Sequence, residues 1–267
     1  MKQQPFNKWI DCVKNDQAGM LATILNGSEI IHKGSRLFVS ENGEMRGSLG
    51  DIFLDEKIVK LGSERLRQMV PESKTHIFDI KGKPISVFLD VHIPSPKVMI
   101  FGAGHDAIPV ASFARHSGFD VTVIDQREAF ASEELFPEVN IILARPEHLA
   151  DKVAPDKRTL IIIMNHHLDK DRDCLHFSLE SKAPYVGLLG PRKRCNRLLR
   201  ELESKGIKFS QETLSRLYNP VGLDIGAEGS EEIAISIVSE MIAFKNKKIG
   251  KSLREQYKSD ETYKLAE

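Results

Sequence analysis

The sequence is poor in cysteine and contains no long apolar run. Its three cysteines, Cys12, Cys174 and Cys195, form no C-x-x-C pair. This argues against a disulfide framework and a zinc or other metal site, and for a reducing compartment. No apolar run approaches the roughly 18 residues that a membrane span needs. The first residues, MKQQPFNKWIDCVKND, hold no apolar signal-peptide core, so we expect a cytoplasmic protein without membrane contact.

An excess of charge of one sign is also missing. The 38 Lys and Arg residues balance 38 Asp and Glu residues, which gives no reason to expect nucleic acid as a partner. The composition, 41% hydrophobic and 28% charged, is ordinary for a globular protein. A chain of 267 residues is long enough for one large domain or two modest ones.

Residues 1–91 predict a smaller α+β domain. The asparagine-glycine pair in Glu41-Asn42-Gly43-Glu44 predicts a hairpin with a type I′ turn. Apolar periodicity predicts helices over residues 1–18 and 52–70, and strands over residues 19–25, 35–40, 75–79 and 85–91. The stiff segment His92-Ile93-Pro94-Ser95-Pro96 is the predicted boundary to a second domain.

The stretch from Lys97 to Arg127 carries the strongest motif. A short apolar run is followed by a glycine turn, a helical pattern and a second apolar run that ends in an acid. Gly102-Ala103-Gly104 and Ala107 fit the dinucleotide fingerprint G-x-G-x-x-A, in which backbone N–H groups at the helix start hold a phosphate. Asp125, 21 residues after Gly104, is placed to bond a ribose hydroxyl. Arg127 is either a partner for a 2′-phosphate or a solvated charge.

Residues 97–245 alternate strands with helical spacers, which predicts a Rossmann-type parallel sheet with right-handed crossovers. The predicted strands are residues 98–101, 120–124, 140–143, 159–164 and 185–189. If their spatial order is 3-2-1-4-5, the ligand crevice lies at the carboxyl ends, where the order reverses. Residues 246–267 form a polar tail.

Three segments follow strand ends that would border this crevice. They are Gly102-Ala103-Gly104, Asn165-His166-His167, and Gly190 with the basic turn after it. His166 would then face the phosphate turn, although a histidine at a strand end can equally serve hydrogen bonding within its loop.

The basic turn Arg192-Lys193-Arg194 places three cations at a predicted helix start. The helix dipole disfavours cations there by roughly 0.3–1 kcal/mol per charge, so a second anion site would offset the conflict. The alternative is a solvated basic face. Cys195 shares helical spacing with Leu198 and Leu202, which predicts a core thiol rather than a nucleophile.

A second glycine-rich loop, NPVGLDIGAEG, precedes the last predicted helix, Glu231–Phe244. Ser230 is the predicted N-cap of this helix, and two acids follow in its first turn.

Several separated motifs together resemble the XdhC/CoxI family. They are IFGAGHDAIPVASFARHSGFDVTVIDQR, IIIMNHHLDKD, APYVGLLGPRKR and LYNPVGLDIGAEGSEEIAISIVSEMIA. The resemblance covers Lys97 to Phe244 strongly and reaches the start through LATILNGSEIIHKGSRLFVSENGEMRGSLGD. It implies an accessory factor that binds molybdenum cofactor (molybdopterin), protects it during sulfuration with a cysteine desulfurase, and delivers it to an apo molybdenum hydroxylase such as xanthine dehydrogenase. It also implies a homodimer.

The resemblance assigns site residues by position. Gly102, Gly104 and His105 match the family's G-x-G-H turn, and His166 matches the histidine of its T-H-D loop. Arg192 and Arg194 lie in its G-S-R-R turn. The chain departs from the family where Gly-Gly-Cys follows Gly-Ser-Leu-Gly, because residues 51–53 are Asp-Ile-Phe. No thiolate at that place can ligate molybdenum.

Two other interpretations remain open at the sequence level. One is an NAD(P)-dependent oxidoreductase with His166 as the catalytic general acid or base, although no Tyr-x-x-x-Lys motif is present. The other is an interaction protein whose first domain only docks a partner.

Overall fold

The computed structural model describes residues 4–69 and 71–256. The chain divides into two compact units, Met1–Pro94 and Ser95–Glu267. No helix in the described part of the chain is long and apolar enough to cross a membrane. Of the predicted polar tail, residues 257–267 lie outside the described residues, and residues 253–256 form a short helix.

The first unit is a five-stranded antiparallel sheet with two helices. Its elements are α1 (Pro5–Lys14), β1 (Gly19–Asn26), β2 (Arg36–Ser40), β3 (Met45–Ser48), α2 (Ile52–Gln68), β4 (Lys74–Ile80) and β5 (Lys83–His92). The strand order is β3-β2-β1-β5-β4. Alternating residues of β5 (Ile85, Val87, Leu89, Val91) are buried in one core cluster with Leu54, Ile58 and Leu66 of α2. The predicted α+β fold class is confirmed.

Two details of this unit differ from the prediction. Helix α1 ends at Lys14 rather than at residue 18, and Asp16 beyond it has a left-handed φ of 52°. The hairpin at residues 41–44 is present, but of its residues only Gly43 has a positive φ, which excludes a type I′ turn. The type I′ pattern of positive φ at both central residues occurs instead at Lys81-Gly82, between β4 and β5.

The second unit is a six-stranded parallel sheet covered by helices on both faces. Its elements are β6 (Lys97–Phe101), α3 (Ala107–His116), β7 (Asp120–Asp125), β8 (Asn140–Leu143), α4 (Leu149–Lys152), β9 (Thr159–Ile163), α5 (Leu168–Glu180), β10 (Tyr185–Leu188), α6 (Arg192–Ser204), α7 (Gln211–Leu214), β11 (Leu217–Tyr218), α8 (Gly229–Lys245) and α9 (Leu253–Gln256). A 3-10 turn, Pro146–His148, precedes α4.

The strand order in this sheet is β11-β10-β9-β6-β7-β8. It confirms the predicted order 3-2-1-4-5, to which the short strand β11 adds an edge that the sequence did not predict. Fully buried strands such as β9 read as continuous apolar runs because both faces of a parallel sheet are covered.

The two faces have separate cores. On one face, α3 and α8 pack on residues such as Val98 and Ile100 of β6. On the other, α5 and α6 pack on residues such as Phe101 and Ile163. The loop after β6 therefore leads to one face and the loop after β9 to the other, which makes the gap between these central strands the switch point of the sheet.

The last long helix, α8, starts earlier than predicted. It begins at Gly229, so Ser230 lies inside the helix and its side chain bonds Glu231 instead of capping. The carboxylate of Glu232 accepts the N–H of Glu228 at 2.8 Å, which satisfies one of the N–H groups exposed at the helix start.

Candidate functional site

The candidate site is the crevice at the carboxyl ends of β6, β9 and β10. Gly102 follows β6, Asn165 lies just beyond β9, and Gly190 follows β10. The N–H of Met164 donates to the carbonyl of Phe101, and the N–H of Leu189 donates to Ile163, each at 2.9 Å. These bonds hold the three strand ends side by side, so the predicted convergence of the three segments is present.

The two glycines of the turn have different structural roles. Gly102 has a φ of +110°, and a Cβ there would lie 2.7 Å from the carbonyl oxygen of Met164. The fold itself therefore requires glycine at this position. A Cβ on Gly104 would meet only the His166 ring, at an ordinary 3.8 Å. The space above Gly104 is open to an external group.

The helix start beyond this turn has free donors. Among the described residues, no acceptor takes the backbone N–H groups of Gly104, His105 and Asp106. Ala107 and Ile108, by contrast, already donate to the carbonyls of the turn. Successive free N–H groups at a helix N-terminus favour an anion, because their partial charges add to the helix dipole.

Asp125, the predicted ribose ligand, is bound by the chain itself. One carboxylate oxygen accepts the N–H of Ala103 at 2.8 Å, and both accept bonds from the Arg127 guanidinium at 2.7 and 3.0 Å. Burial would raise the pKa of Asp125, but these hydrogen bonds from Arg127 and Ala103 hold it below its ordinary value. The pair ties the end of β7 to the glycine turn, and ribose binding by Asp125 stays a prediction.

Arg127 is the partner of Asp125 in this pair. Its guanidinium bonds Asp125 and lies over the ring of Phe130, 4.1 Å from the centroid. The Arg127 side chain is still 38% exposed, and the two roles that the sequence left open, a 2′-phosphate ligand or a solvated charge, stay predictions. The sequence signal for the pair was present, since the two residues are separated by a single position at a strand end.

His166 lies across the crevice from the glycine turn. Its φ of 57° is left-handed, an uncommon conformation for a side chain other than glycine. Its Nε2 is 3.1 Å from a carboxylate oxygen of Asp106, the residue before α3. Asp106 was not among the predicted site residues, although its position two residues after Gly104, at the predicted helix start, was visible in the sequence.

One of the three cations in the basic turn has an anionic partner within the chain. Arg194 forms an ion pair with Asp171 of α5, whose side chain is 1% exposed. The same carboxylate accepts two bonds from Asn165, from its N–H and from its side-chain amide, each at 3.1 Å. Arg194 therefore already has an anionic partner within the chain, whereas Arg192 and Lys193 are exposed at the start of α6. An anion site at this turn stays a prediction.

The second glycine-rich loop is held at the same edge of the sheet. Asn219 donates from its side chain to the carbonyls of Leu188 and Gly190, at 3.0 and 2.8 Å. Glu240 of α8 accepts the hydroxyl of Tyr185 and the N–H of Gly222. The loop is recognisable in the sequence but its anchors are not, because Glu240 lies far from Tyr185 along the chain.

A narrow cleft adjoins the site on the α5 side. It is lined in part by Asp125, Asn165, Lys170 and Cys174. Burial raises the pKa of the Cys174 thiol to about 12, so this thiol is not a nucleophile. Cys12 and Cys195 are buried too, as predicted for Cys195. Within the described residues, no group of three or more His, Cys, Asp or Glu side chains is arranged to hold a metal ion.

Known proteins resemble this chain at the levels of sequence and fold. The chain is 31% identical over 242 residues to a Bacillus subtilis protein named as a probable subunit of xanthine dehydrogenase, covering 90% of this chain and 65% of that protein. It is 26% identical over 148 residues to the molybdenum cofactor insertion chaperone PaoD of Escherichia coli, covering 55% of this chain and 40% of PaoD. The chain thus spans less than two thirds of these relatives.

A solved structure described as a xanthine dehydrogenase from Bacillus halodurans has the same fold, with a TM-score of 0.53 at 23% identity over 95% of this chain and 99% of that one. The family model described as the XdhC Rossmann domain matches residues 98–241, the segment that carries the glycine turn, His166 and the basic turn. This match extends over more than half of the sequence and confirms the predicted resemblance, and the chain belongs to the XdhC Rossmann-domain family.

Proposed function

We propose that this chain is an accessory protein that binds molybdenum cofactor as cargo and passes it to a xanthine dehydrogenase-type molybdenum hydroxylase. The observation that carries the proposal is the row of three free N–H groups beneath open space at Gly104, in the crevice of an XdhC-family domain. Molybdopterin ends in a phosphate, which is the group that such a helix start favours. The names of the relatives from Bacillus subtilis and Escherichia coli support the same role.

The residues around the crevice fit a phosphate-bearing ligand. The N–H groups of the turn and of His105 would hold phosphate oxygens, and the imidazole of His166 faces the same space. Arg192 and Lys193 add two exposed cations after Gly190. The dipole of α6 disfavours these cations in the free protein, and a bound anion would offset that cost.

The second unit carries this role rather than the first. At the position of the family's Gly-Gly-Cys, Asp51 caps α2 by accepting the N–H of Leu54 at 2.9 Å. Ile52 and Phe53 beside it are 69% and 68% exposed. We propose that this exposed start of α2, residues 51–53, contacts a partner protein rather than the molybdenum.

The proposal has two further elements. The chain protects the cofactor during sulfuration by a cysteine desulfurase, and it forms a homodimer.

The NAD(P) alternative has less support. In a dinucleotide site the acid at the end of the second strand must accept ribose hydroxyls. Here both oxygens of Asp125 already accept two bonds each, from Ala103 and Arg127. A ribose would have to displace these bonds, so we do not propose NAD(P) as the ligand and assign His166 no acid–base step.

The experiment is anaerobic native mass spectrometry of the protein purified from cells that make molybdenum cofactor. The wild type should retain a pterin-sized mass that Gly104→Val lacks, because the added side chain fills the space over the free N–H groups. Both proteins should melt at nearly the same temperature. If the wild type carries no pterin and binds none on titration with isolated molybdopterin, the proposed function is wrong.

A further inference from the structure

The contact between His166 and Asp106 lies at the surface of the crevice. The two side chains are 54% and 38% exposed, with 3.1 Å between Nε2 and the carboxylate oxygen. An exposed ion pair of this kind contributes little to stability. Asp106 stands immediately before α3, yet its carboxylate caps none of the helix N–H groups. It is directed to the imidazole instead.

This contact bridges the crevice. Asp106 belongs to the loop that leads from β6 to α3, and His166 to the loop that leads from β9 to α5. These loops diverge to opposite faces of the sheet. The space between them is where a ligand enters a doubly wound fold. In the free protein the bridge therefore crosses the entrance to the phosphate turn.

His166 is held in place by its neighbour. Asn165 is fixed to the buried carboxylate of Asp171 through two hydrogen bonds. The left-handed φ of His166 then directs its ring towards the turn, 3.8 Å from where a Cβ of Gly104 would lie. Residues in this conformation persist only where their surroundings hold them. The imidazole thus lies within reach of two anionic groups, the Asp106 carboxylate and a phosphate over Gly104.

We propose that Asp106 is an internal competitor for the cargo phosphate, which takes its place on His166 when the ligand binds. The inference rests on the proposed function. A carboxylate and a phosphate that share one imidazole and one helix start repel each other, so the bound phosphate is held less tightly than the site would otherwise hold it. When the ligand leaves, Asp106 bonds His166 again. A protein that must hand over its cargo gains a faster release from this exchange.

The test compares Asp106→Asn with the wild type, using isolated molybdopterin and inorganic pyrophosphate as probes under anaerobic conditions. Freeing the His166 imidazole from the Asp106 carboxylate should tighten binding of both probes by about fivefold, mainly through slower dissociation. His166→Gln should weaken binding. In the His166→Gln background the gain from Asp106→Asn should shrink, because no imidazole is left to exchange.

The matched control is Glu180→Gln. Glu180 forms another histidine–carboxylate pair, with the half-buried His176 at 3.1 Å near the far end of α5. This change should leave both affinities unaltered. Asp106→Ser is a second variant that removes the carboxylate, and it should melt at the same temperature as the wild type. In ¹⁵N spectra, the Nε2 signal of His166 should shift on Asp106→Asn in the free protein and on adding pyrophosphate to the wild type.

The outcomes separate this inference from the function on which it rests. Binding of molybdopterin by the wild type, with no gain from Asp106→Asn, would overturn the exchange and leave the proposed function intact. If Asp106→Asn tightens binding equally in the His166→Gln background, Asp106 acts by charge repulsion alone. That result would also overturn the exchange on His166. If neither probe binds the wild type, both proposals are wrong.

Discussion

At the scale of single residues, the site consists of groups whose structural and ligand roles can be separated. Gly102 and Asp125 serve the fold: one permits a close backbone approach and the other ties a strand end to the turn. Gly104 and His166 have no comparable duty, because the space at Gly104 is open and the ring of His166 is exposed. Variants of the first pair should change stability, and variants of the second should change binding.

Gly102→Ala is expected to destabilise the protein by about 1–3 kcal/mol. The cause is a positive φ combined with a contact of 2.7 Å from the new Cβ to the backbone of Met164. Urea unfolding followed by circular dichroism measures the loss. Gly104→Ala is the control and should unfold at the same urea concentration as the wild type; equal losses for both variants would contradict the separation of roles.

Asp125 should make stability depend on pH in the acid range. Its pKa in the folded protein is below the ordinary value near 3.8. The stabilisation is therefore complete above the unfolded pKa and disappears as the pH falls through the folded pKa. At neutral pH, Asp125→Asn should cost about 1.5–3 kcal/mol, the usual contribution of hydrogen bonds to a charged group. The difference in melting temperature between the wild type and Asp125→Asn should become smaller as the pH is lowered. A difference that does not change with pH would contradict the stabilising role of the Asp125 carboxylate.

At the scale of elements, the start of α6 combines two kinds of cation. Arg194 pairs with the buried carboxylate of Asp171 and so joins α6 to α5 and to the loop of Asn165. Arg192 and Lys193 are exposed at a helix start, where the dipole disfavours their charges. Replacing Arg194 by glutamine should therefore lower the stability of the protein, whereas replacing Arg192 should not.

Arg194→Gln should destabilise the ligand-free protein by about 3 kcal/mol, because it leaves Asp171 charged, buried and without its cation. Arg192→Gln should leave stability unchanged or raise it by a few tenths of a kcal/mol, and should weaken phosphate binding by about 1.5–3 kcal/mol. Thermal melts with and without molybdopterin measure both effects. A destabilised Arg192→Gln protein with an unaltered ligand shift would show that no anion binds at this turn.

At the scale of the whole molecule, each unit contains its own core. The cluster around α2 and β5 draws only on the first unit, and the two clusters on the faces of the parallel sheet draw only on the second. The glycine turn, His166 and the basic turn all belong to the second unit. The second unit should therefore fold and bind its ligand without the first unit.

A fragment of residues 95–256 is accordingly expected to fold and to bind molybdopterin with an affinity close to that of the full chain. Circular dichroism melts and native mass spectrometry of the fragment check this. Delivery to the hydroxylase should require the first unit, and Phe53→Ser in the full chain should impair delivery without altering the affinity for the cofactor. A fragment that folds cooperatively but binds no cofactor would contradict the assignment of the site to the second unit.

The sequence alone was sufficient for the parallel sheet and its strand order. Continuous apolar runs, a glycine turn and helical spacers are local patterns, and the right-handed crossover rule converts them into topology. That is why Gly102, His166 and Gly190 could be placed on one crevice before their positions were known. Helix ends were less predictable: α8 begins at Gly229 because Glu232 bonds the preceding N–H, whereas Ser230 had the better local signal.

Only the tertiary structure decided which polar groups remain available to a ligand. Asp125 and Arg194 have the right residue type and position for binding, but Arg127 and Asp171 engage them through contacts that depend on how strand ends and helices pack. Asp106 became part of the site because two loops from neighbouring strands meet, which no periodicity in the sequence encodes. The sequence thus determined the scaffold and the edge that carries the site, since both follow from local patterns. The free donors and the contact between Asp106 and His166 were decided by packing in three dimensions.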